Sequence, residues 1–181
     1  MKYTRSGAYT DCYVTEIPRR VSQAAYVEAF YTGTLFKLER LLLGALASRP
    51  STDVQAKDVA SGAIDVFAAW RVEERTEDQL LMCDLGGRTR SWFMAAPTAG
   101  NPASTRLYFG SGVVPLLDKK SGQAKLGFTF KALLGFHQLY SQALLSAARS
   151  RLSRAGDSAC DGNPGTTPGT APAASTPAVP R

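Results

Sequence analysis

The sequence is poor in the residues that build metal and disulfide sites. It contains one histidine, His137, and three cysteines among 181 residues. A single histidine excludes His-rich zinc sites and any site that needs two imidazoles. Cys12, Cys83 and Cys160 are odd in number and far apart, which argues against a disulfide framework and favours a reducing compartment. We therefore expect a cytoplasmic protein in which Cys83 is an inert buried thiol.

Long apolar runs and secretion signals are also missing. The longest apolar stretch, residues 41–47, is far too short to cross a bilayer. Residues 1–20 lack the apolar core of a signal peptide. These absences predict a protein that does not insert into a membrane and is not exported.

Acidic residues are fewer than basic ones, 15 against 21, and the formal net charge is +6. Such a balance permits a polyanionic partner. The densest basic groups are Lys119, Lys120 and Lys125, and Arg149, Arg151 and Arg154. The second group follows a predicted helix, where cations complement the helix dipole. The interleaved aromatic and basic pattern of single-strand binders is absent, so we expect no nucleic-acid partner.

Familiar catalytic and phosphate-binding motifs are absent as well. Ser91 has no Gly-x-Ser-x-Gly context. The segment Gly110-Ser-Gly112 lacks the lysine and the following helix of a phosphate-binding loop, and its glycines suggest a bulge or a bend. We expect no cofactor and no metal.

Two hydrophobic periodicities are present, and they divide the chain into elements. Helical spacing or capping signals predict helices over residues 22–31, from Thr34 to Pro50, over 51–61 with a serine cap, and over 127–152. Period-two alternation predicts strands over 8–17, 63–74, 79–85, 89–97 and 104–117, with a hairpin at Gly86-Gly87.

This order predicts an α+β fold. Residues 1–153 would form one domain, in which a curved antiparallel sheet packs on the long C-terminal helix. Residues 154–181 are mostly Gly, Pro, Ala, Ser and Thr, and they cannot offset their ordering entropy by burial. We expect a disordered tail there, either a flexible tether or an extension without a function.

Three segments carry a resemblance to a known family: Phe67-Ala-Ala-Trp-Arg-Val, Asp84-Leu-Gly-Gly-Arg-Thr-Arg-Ser-Trp-Phe93 and Phe136-His-Gln-Leu-Tyr140. Over about residues 8–152 the chain resembles uncharacterised bacterial helix-grip-like proteins, which belong with START lipid-transfer domains and polyketide cyclases. The chain departs from this superfamily in two ways. About five strands are predicted, which is fewer than fuller members have, and the glycine-rich loop of the allergen branch is absent. The resemblance implies a pocket for a hydrophobic small molecule between sheet and terminal helix. Some relatives are fused to dehydrogenase-like domains, which implies a dehydrogenase-like partner protein.

Polar residues that could act in such a pocket lie on the predicted strands and the last helix. His137 shares the apolar face of that helix, where it is either a general acid or base or a hydrogen-bonded core residue. Arg71, Asp84 and Arg90 lie on consecutive strands. They could form a buried carboxylate flanked by two guanidiniums, with Asp84 catalytic and the arginines binding a ligand. The alternative is a surface ion-pair ladder.

Aromatic residues on the same elements are the candidate pocket walls. They are Trp70, Trp92, Tyr108 and Tyr140, and ordinary core packing is the alternative. The function that follows is binding of a small hydrophobic or aromatic molecule, with cofactor-free cyclase- or isomerase-type proton transfer as its chemistry. The other hypothesis is a non-enzymatic module that binds a partner protein.

Overall fold

The computed structural model describes residues 8–38, 40, 50–114, 116–117, 124–125 and 128–160. These residues form an α+β fold, as the sequence predicts, with an antiparallel sheet and a long C-terminal helix. Among the helices in these ranges, none combines the length and the apolar character needed to cross a bilayer.

The main sheet has six strands. They are β1 (Tyr9–Ile17), β2 (Val66–Phe67), β3 (Trp70–Arg75), β4 (Gln79–Asp84), β5 (Thr89–Thr98) and β6 (Asn101–Val113). Their order is β1-β6-β5-β4-β3-β2, with antiparallel neighbours throughout. Strands β2 to β6 form a meander, while β1 joins the edge beside β6. The short strands β7 (Leu116–Leu117) and β8 (Ala124–Lys125) pair separately.

The helices of the described ranges are α1 (Gln23–Tyr31), α2 (Asp53–Ser61) and α3 (Phe128–Cys160), and residues 34–38 are also helical. The hydroxyl of Ser22 caps α1 by accepting a hydrogen bond from the Ala25 amide, as predicted. The predicted serine cap of α2 is wrong. Thr52 caps this helix through a capping box with Gln55, in which each side chain accepts from the other residue's amide.

The hydrophobic core lies between the helices and one face of the sheet, which we call the inner face. Phe30 of α1 packs edge-on against Phe93 and in tilted contact with Phe109, both at ring-centroid distances of 4.8 Å. The second half of α3 adds a buried apolar stripe of Leu144, Leu145, Ala148 and Leu152. The opposite side of the sheet is called the outer face.

Three of the strand predictions differ from the observed strand boundaries. The predicted strand 63–74 is broken between β2 and β3, where Phe67 pairs with Trp70 and Ala68 has φ 53°. The predicted loop 98–103 is shorter, because β5 extends to Thr98 and β6 begins at Asn101. The strand predicted over residues 104–117 belongs to the main sheet only as far as Val113.

Two other expectations fall partly outside the described residues. The predicted helix from Thr34 to Pro50 is helical at residues 34–38 and 40, and residues 39 and 41–49 are not described. Helix α3 runs to Cys160, so the predicted tail boundary at residue 154 falls inside a helix. An established helix extends at little further cost through residues that need no burial. Residues 161–181 of the predicted tail lie outside the description.

Candidate functional site

A cavity of about 270 Å³ lies between the inner face of the sheet, α1 and α3. Its aromatic lining residues are Phe30, Tyr31, Phe36, Trp70, Phe109 and Tyr140. The polar lining residues are Thr89, Arg90, Ser91, Ser111, His137 and Ser141. Ser91 pairs with Ser111 across β5 and β6, and His137 forms a hydrogen bond with Ser111. A molecule in this cavity would contact aromatic rings and also the hydrogen-bonding groups around Ser91, Ser111 and His137, which we call the polar end.

The polar end of the cavity centres on Ser111. Its Oγ lies 2.6 Å from Asp11 Oδ1 and 2.7 Å from His137 Nε2. The Ser111 amide also donates to Asp11 Oδ1, at 3.1 Å. Strand register places Asp11 directly opposite Ser111, and α3 carries His137 to the pair. Three distant segments thus build one hydrogen-bonded group.

Two tyrosines complete the surroundings of Asp11. The hydroxyls of Tyr9 and Tyr13 donate to Asp11 Oδ2 at 3.2 and 3.1 Å. Burial, followed by the charge of Asp11, raises the pKa of Tyr13 to about 12, and burial also raises the pKa of Tyr9. Both hydroxyls therefore remain protonated donors at neutral pH. His137 Nε2 is 3.7 Å from Asp11 Oδ2, within ion-pair distance when the imidazole is protonated.

Polar contacts continue along the interface of β1 and α3. Gln138 donates to the Tyr9 hydroxyl at 3.1 Å, and the rings of Tyr9 and His137 meet edge to face at 6.3 Å. Tyr9, Asp11, Tyr13 and Ser111 were not among the predicted site residues. A signal was present in β1, where a carboxylate alternates with two tyrosines on one side of the strand. Its pairing with Ser111 depends on strand register, which that alternation does not provide.

Four of the predicted site residues lie in the cavity lining: Trp70, Arg90, His137 and Tyr140. Arg90 does so from a strand position that belongs to the outer face. Trp92 and Tyr108 lie on the outer face, where their rings are 6.2 Å apart. Alternation along β5 and β6 explains this, because the adjacent Phe93 and Phe109 are the residues that point into the core.

The expected cluster of Arg71, Asp84 and Arg90 is wrong. Arg71 and Arg90 both stand opposite Cys83, so they share the outer face, whereas the neighbouring position of Asp84 belongs to the inner face. Arg90 Nε donates to Glu73 Oε2 at 2.9 Å. Cys83 is buried, as predicted, with Arg71 Nη2 3.8 Å from its sulfur.

Asp84 acts as a turn anchor. Its Oδ1 accepts hydrogen bonds from the amides of Arg88, at 2.6 Å, and Thr89, at 2.7 Å. These bonds close the predicted Gly86-Gly87 turn, in which Gly87 has φ 72°. A side-chain carboxylate that satisfies the amides of a tight turn is a common structural use of aspartate. The geometry therefore gives Asp84 a structural part.

A groove of about 220 Å³ runs across the outer face and includes Trp92, Leu81 and Gly110 in its lining. The pairing of β6 with both neighbours continues without a register shift through Gly110 and Gly112, so the expected bulge or bend is not found there. Gly110 instead makes room for Trp92, because a Cβ at this position would lie 3.0 Å from Trp92 Cε3. The Trp92 indole also donates to Gln79 Oε1 at 3.0 Å.

Within the residues that the structure describes, no three or more His, Cys, Asp and Glu side chains are grouped as metal ligands. The expectation that the protein uses no metal or cofactor stays a prediction.

Comparisons with known proteins add little to this geometry. No protein-family model matches the chain, and no curated protein matches it. A crystal structure of the quaternary ammonium Rieske monooxygenase CntA with an inhibitor is similar at a TM-score of 0.35 and 11% sequence identity. The match covers 82% of this chain and 41% of that chain. A likeness of this size carries no argument about fold or function.

Proposed function

We propose that the protein is a helix-grip-like domain that binds a flat, apolar small molecule in the cavity between the sheet and α3. The observation that carries the proposal is the cavity itself, about 270 Å³ in volume and with six aromatic residues in its lining. An apolar cavity of roughly 150 Å³ holds one benzene molecule. The larger volume therefore suits a molecule of about two fused rings.

The polar end of the cavity would contact the ligand's polar group. An imidazole can gain or lose a proton near neutral pH, so His137 is suited to exchange protons with a bound molecule. For a ligand that is also a substrate, we propose cofactor-free proton transfer of the isomerase or cyclase type. Asp11 and Ser111 support this by holding His137 against the cavity.

Two tryptophans on opposite faces of the sheet provide a direct test. The chain contains only Trp70 and Trp92, and the first lines the cavity while the second lines the outer groove. Protein labelled with 5-fluorotryptophan would be titrated with indole or benzofuran, with signals assigned from the Trp70→Phe and Trp92→Phe variants. We expect the Trp70 signal to move and the Trp92 signal to stay. A Trp70 signal that neither compound moves would sink the proposal.

A matched pair of serine variants locates the binding site. Ser141 lines the cavity and is 2% exposed, whereas Ser146 is on the exposed side of the same helix. Ser141→Leu should fill part of the cavity and weaken benzofuran binding at least about tenfold, with Ser146→Leu binding as the wild type does. Circular dichroism would verify that both variants are folded. Equal binding by the two folded variants would contradict the assignment.

A second candidate function is binding of a partner protein through the outer face. Val14 is 55% exposed on this face, which also carries the groove beside Trp92. The resemblance to domains fused with dehydrogenases makes a dehydrogenase-like protein the partner to test. Docking there would move the fluorine signal of Trp92 and leave that of Trp70 in place. A Val14→Asp variant that binds the partner unchanged would count against this face.

A further inference from the structure

We infer that Ser111 determines ligand specificity, and that it favours molecules carrying an N–H or O–H donor. The inference rests on the proposed function, because it concerns the polar end of the same cavity. It adds the chemical class of the ligand: a flat molecule of about two rings with one hydrogen-bond donor.

The direction of the hydrogen bonds around Ser111 follows from what each group can donate. A serine hydroxyl has one proton and two acceptor lone pairs, and an ionised carboxylate only accepts. The 2.6 Å separation of Ser111 Oγ and Asp11 Oδ1 therefore commits the serine proton to Asp11. His137 Nε2, 2.7 Å from the same Oγ, must then be the donor in its own hydrogen bond.

Asp11 is held firmly enough to keep this direction. Its Oδ1 also accepts from the Ser111 amide, and its Oδ2 accepts from the hydroxyls of Tyr9 and Tyr13. The carboxylate is 11% exposed, so water competes little for it. Rotation of Asp11 away from Ser111 would break several of these hydrogen bonds at once.

Ser111 is consequently an acceptor toward the cavity that it lines. One lone pair receives the proton of His137, and the second lone pair of the hydroxyl can accept a hydrogen bond from a further donor. A ligand N–H or O–H at this position completes the hydroxyl's bonding. A ligand oxygen at the same position meets a lone pair and loses its bond to water without replacement, which is how polar sites reject near-isosteres.

Indole and benzofuran test this directly, because they have nearly the same shape and differ in an N–H against a ring oxygen. The wild-type protein should bind indole about 3- to 10-fold more tightly than benzofuran, the range expected for one neutral hydrogen bond. Dissociation constants would come from titrating the fluorine signal of Trp70. Ser111→Ala should abolish the preference, and Ser111→Thr, which keeps the hydroxyl, should retain it.

Ser146→Ala is the control. Ser146 lies on the exposed side of α3 and outside the cavity lining, so its loss should leave the preference for indole in place. Equal binding of both compounds to the wild type overturns the inference without needing any variant to fold, while the cavity proposal stands. A preference that survives in folded Ser111→Ala also overturns it. If neither compound moves Trp70, the proposed function itself fails.

Discussion

At Asp11, one carboxylate contacts donors from three residues: Tyr9, Tyr13, and both the amide and the hydroxyl of Ser111. Such a group fixes the donors and acceptors around it, because the carboxylate can only receive protons in hydrogen bonds. The effect reaches His137, which is two hydrogen bonds away, because Ser111 has only one hydroxyl proton to donate. Proton positions at this site are therefore open to direct measurement.

The tautomer of His137 is the first such measurement. Because His137 donates through Nε2 to Ser111, the neutral imidazole should carry its proton on Nε2. His137 is the only histidine in the sequence, so ¹⁵N-histidine labelling gives one pair of ring-nitrogen signals. We expect the Nε2–H pattern in the wild type. A neutral ring protonated only on Nδ1 would contradict the direction we assign.

Tyr13 predicts how stability changes in alkali. Burial and the charge of Asp11 raise its pKa from 10.0 to about 12 in the folded state. Between these pH values the native protein holds the phenol proton that the unfolded chain releases, so the free energy of unfolding falls as pH rises. In Tyr13→Phe this contribution is absent, so the free energy of unfolding should fall less steeply with pH between these two values. Urea unfolding at several pH values would check it; an unchanged slope would refute the stated cause.

At the scale of elements, the attachment of α3 changes character along its length. His137 and Gln138 contact β1 and β6 through hydrogen bonds, whereas Leu145 and its buried neighbours pack into the core. Burial of apolar side chains contributes more to stability than exchange of hydrogen bonds with water. The apolar half of the helix should therefore provide most of its anchoring.

Two leucines of α3 make a matched test of this division. Leu145 is 4% exposed and Leu139 is 68% exposed. Leu145→Ala should lower the free energy of unfolding by about 2–5 kcal/mol, the usual result of emptying a packed site. Leu139→Ala should change it by no more than about 0.5 kcal/mol. Similar losses for both, measured by urea unfolding, would show that the core is not where we place it.

Periodicity predicted most elements, and local turn chemistry accounts for the misses. The apolar spacing of α3 and the alternation of β1 are strong patterns, and both elements were predicted near their observed positions. The turn between β2 and β3 carries no glycine, asparagine or proline, because Ala68 adopts its positive φ with an ordinary side chain. Nothing in the local sequence marks that break.

At the scale of the whole molecule, the candidate site was predictable only in part. Trp70, His137 and Tyr140 were found because strand and helix faces can be inferred from spacing. Arg71 and Asp84 were misplaced because a shift of one residue reverses the face of every side chain in a strand. The contact of Asp11 with Ser111 joins positions 100 residues apart, which a local pattern does not reveal.

Ligand binding should raise the stability of the whole fold. A molecule that binds only the folded state at ten times its dissociation constant adds about 1.4 kcal/mol. For a chain of this size that corresponds to a rise in Tm of about 3–6 °C. Thermal unfolding with indole should show this rise in the wild type and a smaller one in Ser141→Leu. A Tm independent of indole at that saturation would contradict binding to the native state.

The pairing of the first strand with the last one of the sheet sets the order in which the protein can mature. β1 leaves the ribosome before its partner β6, which follows about a hundred residues later. At ordinary synthesis rates of about 5–20 residues per second, this interval lasts roughly 5–20 seconds. Nascent chains halted before β6 therefore carry Asp11 without Ser111 or His137. Chains terminated at that stage would lack the hydrogen-bonded group of Asp11, Ser111 and His137 on which the proposed recognition depends.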